Sequence, residues 1–140
     1  MTKLLALATS AMVFAASFVI AADKDDLDEY EKRLNRINAQ AEKPGMLNVA
    51  LQRISTETGV PLEQVRAQHK RHPEVGPAGL LIANVLANET KKAPSEFLKE
   101  RAEGKKWVAI ARQHKVSVDK LNDRLERLEK AIATGGDKKP

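Results

Sequence analysis

The sequence predicts an all-α protein: a compact bundle of about six or seven short helices arranged as divergent helical hairpins, with one longer amphipathic helix at the N-terminal side. Three observations predict it. Apolar residues recur at spacings of three and four along most of the chain, which lines one face of a helix. Period-two runs of branched or aromatic residues are missing, and aromatics make up only 4% of the chain, which argues against strands. Pro and Gly fall between the periodic segments, where they punctuate helices.

The chain opens Met1-Thr2-Lys3 and continues as an apolar run over 4–20, broken only by Thr9, Ser10 and Ser17, before closing on Ala21-Ala22 and a burst of acids. This is the layout of a secretory signal peptide: a basic start, an apolar middle and small residues for the peptidase, with cleavage expected near Ala22. The run is also just long enough to span a bilayer, so an uncleaved anchor is the alternative. With no cysteine in the sequence, a lipid-modified N-terminal cysteine, thiol catalysis, cysteine-ligated zinc or iron–sulfur sites and disulfide staples are all excluded. The expected product is periplasmic or secreted, and its fold must rest on its core.

Residues 23–44 form the longer helix. Asp23, Asp25, Asp26 and Asp28 favour the positive end of its dipole, and Leu27, Tyr30, Leu34, Ile37 and Ala41 mark a heptad-like apolar stripe. The stripe is expected to pack on the matching seam of the last helix in the same molecule; a dimerising coiled coil is the alternative, three heptads being near the minimum for one. Pro44-Gly45 ends this helix. A second is expected over 46–58, with Leu47, Ala50, Leu51 and Ile54 facing inward, and a third over 62–71. Gly76-Pro77-Ala78-Gly79 lacks the lysine and the preceding strand of a phosphate loop and reads as a hinge. The segment 80–87 is hydrophobic on more than one face, which predicts a central helix covered on both sides. Shorter helices over 94–103 and 105–113 lead into a final one over 118–132, and the tail 134–140 is expected to be disordered. The organisation is thus a leader (1–22), an amphipathic helix (23–44), a helical hairpin domain (45–133) and a tail.

Within that domain a pattern repeats. Trp107, Ile110 and Ala111 recur at helical spacing, His114-Lys115-Val116-Ser117 interrupts, and Val118, Leu121, Leu125, Leu128 and Ile132 resume. Ser117 is a natural N-cap and Lys115 sits where the turn wants a left-handed residue, with Trp107 wedged between the two helices. Residues 54–65 align without a gap on 110–121, placing Gly59 at the position of Lys115. Pro61 presets the first turn of the following helix. Leu51, Ile54, Val60 and Val65 in one copy, and Trp107, Ile110, Val116, Leu121 and Leu125 in the other, are the expected hairpin core. A fainter third copy runs over 80–101, with Ala93-Pro94-Ser95-Glu96 paralleling Val60-Pro61-Leu62-Glu63. The W-x-x-I-A, turn, V-S-V, leucine-helix pattern resembles the helix-turn-helix of homeodomain-like units. Such hairpins behind a signal peptide are similar to those of small uncharacterised exported bacterial proteins, a resemblance that implies architecture only.

Chemistry is sparse. His69 and His72 are three apart, but no carboxylate stands at a helpful position and Pro73 ends the helix, so they read as solvated groups at a helix C-terminus. His114 reads as a turn residue, and no serine sits in a nucleophile motif. The expectation is no enzyme, no cofactor and no metal. The formal net charge is +5, and the bases concentrate after residue 44, which permits attraction to polyanions without selecting one. The helix 118–130 sets Lys120, Arg124, Arg127 and Lys130 against Asp119, Asp123, Glu126 and Glu129; the i,i+4 pairs Asp123–Arg127 and Glu126–Lys130 suit a self-stabilised solvent face. The helix 62–71 suits nucleic acid better, with Gln64, Arg66, Lys70 and Arg71 against Glu63, supported by Lys91, Lys92, Lys105 and Lys106. The leading expectation is an exported interaction module, monomeric or weakly dimeric, whose partner is a protein or cell-envelope polymer. Nucleic acid is the less favoured partner, and a membrane enters only if the leader is retained.

Overall fold

The most apolar stretch of the sequence forms the helix Gly76–Thr90, and every residue in it from Gly76 to Ala87 is buried. The structure, a computed structural model, describes residues 24–135. The expected leader with its cleavage point and the last five residues of the tail lie outside the described residues. In chain order the elements are α1 (Lys24–Ala41), α2 (Met46–Thr58), α3 (Leu62–Arg71), a 3-10 turn (Pro73–Val75), α4 (Gly76–Thr90), α5 (Pro94–Ala102), α6 (Trp107–Gln113) and α7 (Val118–Ala133). No strand occurs among them. The protein is a compact all-α bundle.

Helix α4 is its axis. It touches every other helix, and Leu80, Leu81, Ile82 and Leu86 are enclosed completely; each such side chain contributes about 1.5–3 kcal/mol by leaving water. Its one buried polar side chain is matched: Asn84 and Gln68 of α3 exchange reciprocal amide hydrogen bonds of 2.8 and 3.1 Å. Asn84 also donates to the Leu80 carbonyl at 2.9 Å, so no donor is left open there.

Gly76-Pro77-Ala78-Gly79 is not a hinge. These residues form the first turn of α4 and are buried. Asn38 of α1 holds that turn, accepting from the Ala78 amide at 2.8 Å and donating to the Val75 carbonyl at 3.2 Å. Gly76 adopts φ 69° and ψ 171°, a conformation reserved for glycine.

The α1 stripe is used inside the molecule: Tyr30, Leu34, Ile37 and Ala41 are buried, with Leu27 partly so. Its main partner, however, is α4 and not the α7 seam, because α2 already covers that seam in the most extensive helix–helix contact of the bundle. Polar bonds also join α1 to α7. Arg33 donates to Glu129 at 2.7 Å and to Asn122 at 3.1 Å.

The three hairpins α2–α3, α4–α5 and α6–α7 share one turn. Each passes through a left-handed residue, Gly59 (φ 77°), Lys91 (φ 64°) and Lys115 (φ 61°), and two residues later reaches the N-cap of the next helix, Pro61, Ala93 and Ser117. Ser117 caps as expected, its hydroxyl accepting from the Lys120 amide at 3.4 Å. The third copy carries a correction of one residue. Lys91, not Lys92, is equivalent to Gly59, which brings Ile54, Leu86 and Ile110 into register, and Val65, Phe97 and Leu121 likewise, all buried. Matching Pro94 to Pro61 misleads because Pro61 is an N-cap and Pro94 is the first residue inside its helix. Lys92, exposed, also replaces the apolar residue that Val60 and Val116 place in the other turns. Pro61 stands directly before the first turn of α3, as its N-cap.

One core residue is imperfectly matched. The Tyr30 hydroxyl is buried with no hydrogen-bond partner among the described residues. Burial pushes the phenol well above its ordinary 10.0, with Arg33 opposing and Glu31 adding to the shift. A folded-state value raised above the unfolded one means that this contribution is complete below pH 10 and is lost as pH rises beyond it. Tyr30→Phe removes the orphaned hydroxyl. It is expected to be neutral or stabilising by up to about 1–2 kcal/mol at neutral pH, and to flatten the alkaline loss of stability, both read from urea unfolding at neutral pH and at about pH 11.

Candidate interaction surface

Helix α2 buries Ala50, Leu51, Ile54 and Thr58, a helical face to which Leu47 also belongs by spacing. Leu47 was expected inward and is not: it is 37% exposed, the exposed large hydrophobic among the described residues. The reason lies in its neighbour. α3 packs beside α2 as the second arm of their hairpin, so its C-terminal half lies alongside the first turns of α2, where it offers Ala67, His69 and Lys70. Val65, the buried apolar residue of α3, lies nearer the hairpin turn. Small and polar side chains leave Leu47 partly uncovered.

Two recesses flank this position and share both Leu47 and His69. One, about 480 Å³, has Leu47, Leu51 and Ala67 for its apolar surface and Arg66 and Lys70 at its edge, with Glu63 beside Arg66. The other, about 610 Å³, lies towards α1 and the 3-10 turn and is edged by Glu42 and Glu74, with Asn35, Asn38 and Pro77 in its wall. Leu47 and His69 therefore separate a basic recess from an acidic one. His69 is not solvated but half-buried, and its Nδ1 is enclosed without a hydrogen-bond partner among the described residues. His72 lies with its Nδ1 3.6 Å from a Glu74 carboxylate oxygen.

The residues expected to suit nucleic acid are scattered. Gln64, Arg66, Lys70 and Arg71 are exposed on α3, although Arg66 is engaged, donating to Asn48 of α2 at 2.8 Å and to Glu63 at 3.4 Å. Lys91 and Lys92 occupy the α4–α5 turn. Lys105 and Lys106 lie 3.6 Å from Glu100 and 3.4 Å from Asp28. The latter contact is near the start of α1, whereas Asn38, which binds Val75 beyond the end of α3, is ten residues further along that helix, about 15 Å away at helical rise. No single face gathers the set.

Lys120, Arg124 and Arg127 of α7 are occupied as well, though not by the partners expected. Arg127 reaches Glu57 of α2 at 2.9 Å, and Arg124 donates to the Glu57 carbonyl at 2.7 Å. Arg53 and Arg124 approach the same nearly buried carboxylate at 3.5 and 3.8 Å. Glu57 thus fastens α2 to α7, a role invisible in a sequence where its α7 partners lie about 67 and 70 residues away. Lys120 pairs with Glu89 at 3.0 Å.

The hairpin core residues Leu51, Ile54, Val65, Trp107, Ile110, Val116, Leu121 and Leu125 are buried, and Val60 is partly so. Trp107 is more than a wedge within its own hairpin. A Cβ on Gly79 of α4 would lie 3.5 Å from its indole, Arg101 of α5 stands 5.5 Å above its ring centroid, and its amide donates to Glu31 of α1 at 3.1 Å. Glu31 is held in turn by Arg101 through bonds of 2.5 and 2.8 Å. His114 does more than fill a turn: its Nε2 lies 2.8 Å from Glu100, and its ring meets Phe97 edge-on.

Among the described residues, no group of three histidines or carboxylates is placed to share a metal ion, and no helix is long and apolar enough to cross a membrane. Compared with protein-family models, with curated proteins and with solved structures, the chain has no match.

Proposed function

We propose that the mature chain is an exported, non-enzymatic helical protein, periplasmic or secreted, that binds another macromolecule through the α2–α3 face. The observation that carries export is the N-terminal layout: one basic residue, an apolar run over 4–20, and Ala21-Ala22 before the acids. The interaction reading is supported by Leu47, left exposed between two recesses of opposite charge. The homeodomain-like resemblance enters this reading as architecture, without the DNA-binding role. The intact mass of the native protein from fractionated cells tests export: a species beginning near Asp23 in the periplasm or medium is expected. A full-length species in the cytosol would overturn it, and one in the membrane would make the chain an anchored adaptor.

A nucleic-acid reading retains one observation, the exposed Gln64, Lys70 and Arg71 on α3. It requires duplex affinity that falls steeply with salt and weakens in Lys70→Ala. Binding to a protein or wall polymer that survives that substitution favours the first reading.

A further inference from the structure

We infer that the Leu47 face pairs with a second copy of this chain, as a weak two-fold dimer. The inference rests on the interaction reading for its surface, but not on export. Its basis is the charge order. On one side of Leu47 and His69 lie Arg66 and Lys70, with Glu63 paired to Arg66 at 3.4 Å so that Lys70 carries the net positive charge of that edge; on the other lie Glu42 and Glu74, and all five are exposed. A two-fold axis through such a surface turns the basic edge of one protomer onto the acidic edge of its partner, twice over, while Leu47 approaches its own copy near the axis. Isologous interfaces have this self-complementary form. A uniformly acidic or basic partner would match one half and be repelled by the other. An apolar residue left open at the centre, with charges around it, follows the usual division of an interface into core and rim.

The contact is small, so the dimer is weak. For purified protein carrying its native N-terminus, sedimentation equilibrium should give a weight-average mass that rises between about 10 µM and 1 mM, the regime of small transient interfaces. Lys70→Glu places acids on both edges, and Glu74→Lys places bases on both. Each is expected to raise the dimer dissociation constant by about tenfold or more, since like charges then face one another at two symmetric contacts. Mixed one to one, the two variants should associate again, because every cross-contact once more joins unlike charges. Leu47→Ser should weaken association without any such rescue. The two charge reversals lie at exposed positions, so they remain decisive even if the Leu47 variant is poorly folded. A wild-type protein that stays monomeric at 1 mM overturns the inference while leaving export, read by mass, untouched. So does a dimer indifferent to both charge reversals, or a mixture that fails to associate.

Discussion

Replacing Trp107 by alanine is expected to destabilise the protein by about 3–5 kcal/mol, the range for deleting a large aromatic from a packed core. The residue is 1% exposed, and four elements meet at it: its indole lies against Gly79 of α4 and under Arg101 of α5, while its backbone amide, at the start of α6, donates to Glu31 of α1. Helix α6 spans only seven residues, too few to hold together without tertiary contacts. Losing the indole therefore opens a cavity at the first residue of a short helix, whose remaining anchors are the backbone bond to Glu31 and the buried Val108, Ile110 and Ala111. Domains of this size are stable by roughly 5–15 kcal/mol in all, so the variant should unfold at a much lower urea concentration with little change in slope. Arg101→Met is the informative contrast. It removes the cation over the ring, worth about 0.5–2 kcal/mol, and the partner of Glu31, but leaves the core filled. A Trp107→Ala loss no greater than that of Arg101→Met would show that the ring's packing does not govern this junction.

Gly76→Ala is expected to cost about 2–4 kcal/mol, from two separate sources. An alanine at φ 69°, ψ 171° is strained wherever it stands. Here its Cβ would also fall 2.3 Å from the Asn38 Cγ, forcing that amide away from the Ala78 amide and the Val75 carbonyl it satisfies. Orphaned polar groups at a buried helix start add about 1–3 kcal/mol. Gly59→Ala is the control, since Gly59 has φ 77° with open space around its missing side chain and should show only the left-handed penalty of about 1–2 kcal/mol. Equal losses in urea unfolding for the two variants would mean that the contact of Gly76 with Asn38 has no energetic weight. A hinge at 76–79 would tolerate the alanine.

Helix positions were legible because the forces that start and stop helices act over a few residues. The bounds 46–58 and 62–71 coincide with α2 and α3, since Pro44-Gly45, Gly59 and His72-Pro73 act through their own backbone preferences. Lys115 could be assigned a left-handed turn for the same reason, by alignment with Gly59. The burial of 80–87 followed from its lack of any polar face.

What the chain order alone left undecided was which surface meets which. The spacing of the α1 stripe matches it to the α7 seam, or failing that to a second molecule, and it is the pairing of α2 with α7 that leaves α4 as its main partner. Gly76–Gly79 carries the composition of a flexible link, yet becomes the anchored start of the central helix because Asn38, some forty residues earlier, supplies its capping bonds. Glu57, Glu31 and Glu100 read as ordinary surface acids until folding surrounds them with arginine, histidine and a helix terminus. Leu47 is the reverse case: periodicity turns it inward, but whether it is covered depends on the size of the side chains that α3 happens to bring beside it. Periodicity reports the direction in which a side chain points, a property of one helix; burial depends on what another helix places there, and that is decided only when the bundle closes.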